Sequence, residues 1–84
     1  MCTNGVNATQ FKMMLEQMDD QIALNRRWTH KMFHSANDNS YEQTAETLKE
    51  AQGLLDDVRA LLTDAQDAFD KDQEKLSGVT VNLV

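Results

Sequence analysis

The chain has 84 residues and a formal net charge of −6, with 26% charged and 40% hydrophobic residues, no proline and one cysteine. A single cysteine excludes an intramolecular disulfide framework and a closed Cys-rich zinc module. Uninterrupted apolar runs stop at three residues, as in 13–15, which excludes a membrane-spanning stretch of about 20 apolar residues.

The first ten residues carry neither a basic start nor an apolar h-region. The expectation is no secretory leader and a cytoplasmic address. A chain this short is marginal as a single-core domain, so a partner, a second copy or very regular helix packing is expected. The charge is unevenly spread: residues 1–40 hold four basic and four acidic groups, and residues 41–84 hold four basic and ten acidic groups. An acidic second half disfavours direct nucleic-acid binding and suits a basic protein partner or plain solubility.

In chain order, residues 1–6 read as a polar lead-in holding Cys2, inert as a thiol in a reducing compartment. Asn7 has the character of an N-cap, with Gln10 at the reciprocal capping-box position and Val6 and Phe11 at the staple positions. A first helix is predicted over 8–34. Phe11, Leu15, Met18, Ile22, Asn25, Thr29 and Met32 alternate in steps of four and three, one heptad seam. Met14, Trp28 and Phe33 widen it toward a bundle face.

Residues 35–40 supply the turn, since Asn, Asp and Ser side chains bond nearby backbone. Ser40 with Gln43, or Asn39 with Glu42, can cap the next helix. A second helix is predicted over 41–76. Tyr41, Leu48, Leu55, Leu62, Phe69 and Leu76 recur every seven residues, and Thr44, Ala51, Val58, Ala65 and Asp72 follow three behind. Leu54, Leu61 and Ala68 flank them. Gly53 falls on the outer face and Gly78 stands where a helix would end. The residues 79–84 alternate β-branched and polar side chains and are expected as an extended tail. Folding about Asp38 sets Phe11 opposite Ala65, Met18 opposite Val58, Ile22 opposite Leu54 or Leu55 and Asn25 opposite Ala51. Phe69 and Leu76 then overhang the first helix.

His30 and His34 are four apart and can share a helical face, a spacing able to chelate a metal, with Asp38 a conceivable third ligand. The glutamate of the zinc-protease helix motif is missing between them. The expected reading is no metal and no cofactor: two half-exposed imidazoles near a helix C-terminus. The stretch 26–34 gathers basic groups with Trp28 and Phe33, a combination common among interface anchors. Glu46, Glu50, Asp57, Asp64, Asp67 and Glu74 line the outer face of the second helix. No catalytic triad, pocketed carboxylate pair or glycine-rich phosphate loop occurs.

The expected fold is all-α: an antiparallel two-helix coiled-coil hairpin, completed as a bundle by a second copy or a partner. The expected function is non-enzymatic, a small assembly, scaffold or adaptor protein acting through its helix faces. The alternative is an acidic inhibitor, of mobile-element or phage type, whose carboxylates imitate a phosphate backbone. Trp28, Phe33, the six outer carboxylates, Phe69 and Leu76 are the expected interaction residues.

Overall fold

The computed structural model describes residues 7–83, with side chains described through Leu76. Two helices, α1 Ala8–Asp38 and α2 Glu42–Leu83, pack lengthwise in a rod of 66 × 20 × 18 Å. The expected all-α hairpin is therefore the fold, and the described residues contain no strand.

The start of α1 follows its capping signal. Asn7 is extended at φ −84° and ψ 170°, and its side-chain oxygen accepts the Gln10 backbone N–H at 2.8 Å. That bond satisfies one of the donors a helix start leaves open. The staple partner Val6 and the thiol of Cys2 lie outside the described residues.

The end of α1 differs from expectation. The helix runs four residues past His34 and stops at Asp38, with Asn39 as its C-cap. Ser40 then takes the left-handed conformation at φ 62°. The Ser40 N–H reaches the Asn37 carbonyl at 3.2 Å and the Tyr41 N–H reaches the Ala36 carbonyl at 2.8 Å. These two bonds form a Schellman motif, with serine where glycine is usual. Ser40 therefore ends the first helix and does not cap the second. The turn shrinks to 39–41, because turn-favouring side chains at 35–38 do not outweigh a helix that is already propagating.

The moved turn shifts the pairing register. Lys12–Asp70, Arg26–Asp56 and His30–Gln52 each sum to 82, Phe11–Phe69 to 80 and Asp19–Arg59 to 78. The expected pairs sum to 76 or 77. The difference is about one helical turn of 3.6 residues. Phe69 accordingly does not overhang: its ring stacks on Phe11 with centroids 5.0 Å apart.

A second correction concerns the C-terminal segment. No extended tail begins at residue 79; α2 continues through Gly78 to Leu83. Valine and threonine cost only a few tenths of a kcal/mol each in a helix, and glycine about 1. Those penalties do not stop a long helix once it is nucleated. Gly53, inside α2, has nothing within 4 Å of where a Cβ would sit, in agreement with its expected outer position.

Only Ala36 and Ala45, each 4% exposed, are buried among the described residues. They sit on either side of the turn, where small side chains let the two helices approach. Away from the turn the interhelical seam is half-buried. It is built by Leu15, Ile22 and Thr29 of α1 and by Leu48, Leu55, Leu62 and Phe69 of α2.

Candidate interaction face

The seam above uses one row of each expected heptad pattern. The second row differs. In α1 the half-buried companions are Lys12, Asp19, Arg26 and Phe33, not Phe11, Met18, Asn25 and Met32. In α2 Gln52, Arg59, Gln66 and Gln73 are half-buried and Ala45 is buried; of the expected row Ala51 and Ala65 are half-buried, while Thr44, Val58 and Asp72 are exposed. Each helix is thus rotated so that a polar row closes the hairpin.

That polar edge is stitched across the helices. Lys12 Nζ lies 2.7 Å from Asp70 Oδ1, Arg26 Nε 3.0 Å from Asp56 Oδ1, and Arg59 Nε 3.1 Å from Asp19 Oδ1. The hydrogen bond to Asp70 raises the Lys12 pKa above its ordinary value, and the hydrogen bond to Asp19 likewise raises that of Arg59. The half-buried aliphatic stems of these bases cover the seam while their charged heads stay in water. Farther toward the turn, His30 Nδ1 is 3.0 Å from Gln52 Oε1, and His34 Nε2 is 3.0 Å from His30 Nε2. The amide oxygen only accepts, so His30 donates from Nδ1 and His34 donates to its Nε2. The two imidazoles are used to join the helices and each other. No group of three or more metal-ligating side chains occurs among the described residues.

Apart from His34, these edge groups lie four residues or one residue after a seam position, a rotation of about +40° or +100° at 3.6 residues per turn. Positions three after or one before the seam rotate the other way. Because the helices run antiparallel, those positions from both helices share the opposite face. Phe11, Met14, Met18, Trp28 and Met32 of α1 stand there, with Leu54, Val58 and Leu61 of α2. All eight are exposed, Trp28 at 57% and Leu61 at 66%. Near the open end lies a groove of about 450 Å³ lined by Phe11, Leu15, Ala65, Ala68, Phe69 and Leu76 together with Asp72 and Gln73.

The expected interaction residues divide accordingly. Trp28 stands on this open face, with Lys31 Nζ 5.4 Å from its ring centroid. Phe69 and Leu76 border the groove. Phe33 instead sits half-buried in the companion row beside the seam, against His34, with ring centroids 5.3 Å apart. Glu46, Glu50, Asp57, Asp64, Asp67 and Glu74 are all exposed, and the three ion pairs among the described residues use none of them. The methionines and Val58 were legible only as seam members; their exposure follows from the one-row rotation, which heptad spacing does not encode.

No helix among the described residues is long and apolar enough to cross a membrane. Comparison with known proteins finds no matching family model, no similar curated protein and no similar solved structure. The functional reading therefore rests on geometry.

Proposed function

We propose that this protein is a non-enzymatic assembly module that works by docking its open apolar face onto other helices. One observation carries the reading: among the described residues only two alanines are buried, while eight large apolar side chains share one exposed face. Ordering a backbone costs about 1–2 kcal/mol per residue. The half-buried seam offsets part of that cost, and the open face contributes only when something covers it. A contiguous apolar patch of this kind marks an interaction site. The expectation of a scaffold or adaptor role fits such a half-bundle, and the alternating seam of each helix then points at a bundle axis and not only at its hairpin partner.

Methionine oxidation tests the reading with an internal control. Met13, Met14, Met18 and Met32 are 50–53% exposed in the single chain, but Met13 points away from the open face. In cells treated with a mild oxidant, Met14, Met18 and Met32 are expected to be protected relative to Met13. Equal oxidation of all four would contradict docking.

A second reading uses the outer face of α2. Glu50, Asp57 and Asp64 stand in an exposed row that none of the three ion pairs among the described residues uses. Such a row can engage a basic, nucleic-acid-binding surface as a decoy. Reversing Asp57, Asp64 and Asp67 to lysine would then abolish inhibition while leaving the helical signal intact; inhibition that survives the reversal removes this reading.

A further inference from the structure

We infer that the occupant of the open face is a second copy of this chain, docked with both turns at the same end and each α1 lying on its partner's α2. The inference rests on the docking reading and specifies its partner and geometry. Area permits it. Eight half-exposed side chains leave roughly 80–100 Å² each to cover, about 1,400 Å² across a pair, within the ~1,200–2,000 Å² of stable interfaces.

Two face-to-face arrangements have two-fold symmetry. In one the axis runs along the helices, the turns coincide, and α1 meets the partner's α2. In the other the axis crosses the helices, the turns lie apart, and each helix meets its own copy. Shape separates them. The open face is bulky on α1, with Phe11 and Met14 at one end, and small at the same height on α2, where Ala65 and Ala68 stand. Cross-helix contacts within the hairpin sum to 78–82, so a same-end copy lays Phe11 and Met14 over Ala65 and Ala68 of the partner copy. The crossed arrangement puts bulk on bulk and alanine on alanine, which leaves strain and voids.

Charge separates them again. The rim of α2 beside the open face carries Glu50, Asp57 and Asp64, seven residues apart. In the crossed arrangement this row meets itself about Asp57, setting like charges against one another. In the same-end arrangement it meets the α1 rim, where Lys31 is level with Glu50 and its ammonium is held over Trp28 at the margin of the open face. Like-charge juxtaposition selects against the crossed form and the Lys31–Glu50 approach favours the other.

The test uses the full chain carrying C2S and N37C, with a nitroxide on the new thiol, and sedimentation equilibrium alongside. A dimer is expected, with labels about 15–30 Å apart given interhelical spacings of about 8–10 Å. Turns at opposite ends would put the labels beyond about 40 Å at 1.5 Å rise per residue. Glu50→Lys should raise the dimer dissociation constant about two- to fivefold, and adding Lys31→Glu should restore it. A monomer at ~100 μM, a larger oligomer, or a dimer with distant labels overturns the inference. A purified monomer whose Met14 and Met18 are still protected in cells would leave the docking reading standing with another partner.

Discussion

The rings of Phe11 and Phe69 lie 5.0 Å apart and 27° from parallel, and close the hairpin at the end far from its turn. The pairing fixes the register, because Phe11 would face Ala65 if the chain turned one helical turn earlier. Stacked aromatic pairs couple by about 0.5–1.5 kcal/mol beyond area burial. A double-mutant cycle with Phe11→Ala and Phe69→Ala is expected to return a coupling of that size from urea unfolding. Additive effects of the two substitutions would contradict the register.

Ser40 occupies a left-handed position at φ 62° that glycine takes without a Cβ penalty. The left-handed region costs an L-residue roughly 1–2 kcal/mol, offset in part by the greater freedom glycine has when unfolded. Ser40→Gly is therefore expected to stabilise by about 0.5–1 kcal/mol, and Ser40→Val to destabilise by more than 1. Thermal melts of the two variants check this; a serine-to-glycine change that destabilises would mean the turn does not close through Ser40.

The Lys12–Asp70 pair responds to alkali. The Lys12 pKa is raised from 10.5 by its hydrogen bond to Asp70. A raised folded pKa means the contribution is fully present below about pH 10.5 and is lost as pH climbs through the folded value. The pair is solvent-exposed, so its contribution is small and falls with salt. The difference in melting temperature between the wild-type chain and Lys12→Met is expected to stay constant from pH 6 to pH 9 and to close above pH 10.5. A difference that closes at neutral pH would contradict the pairing.

The helical hairpin, the Asn7 cap and the α2 row of Leu48, Leu55, Leu62 and Phe69 were legible in the sequence because period and capping chemistry are local. The Ser40 turn was not, since serine is rarely the residue that ends a helix in a left-handed step, and the pairing register depends on where that turn falls. The same holds for 79–83, where β-branched spelling suggested extension although the propensity penalty is small against a running helix. The face assignment was half legible. Phe11, Met18 and Val58 were recognised as seam positions, but in the hairpin they stand exposed beside the seam. Which row closes the hairpin depends on the rotation of the helices, seen in Asp19–Arg59 and its companions, a long-range relation between charges 40 residues apart.

Adjacent substitutions on α2 test the central claim, that the open face is covered in the folded assembly. Ala60 and Leu61 are both exposed in the single chain, and each has acidic neighbours on its own helix, so lysine at either site meets a similar local environment. A lone hairpin would tolerate both, with changes within about 0.5 kcal/mol. Covering the open face makes them unequal: Leu61→Lys would bury a charge and remove a packed leucine, while Ala60→Lys would stay in water. Thermal unfolding at one protein concentration is expected to show Leu61→Lys melting far below the wild-type chain and Ala60→Lys close to it. Equal, small shifts for the two variants would contradict the account.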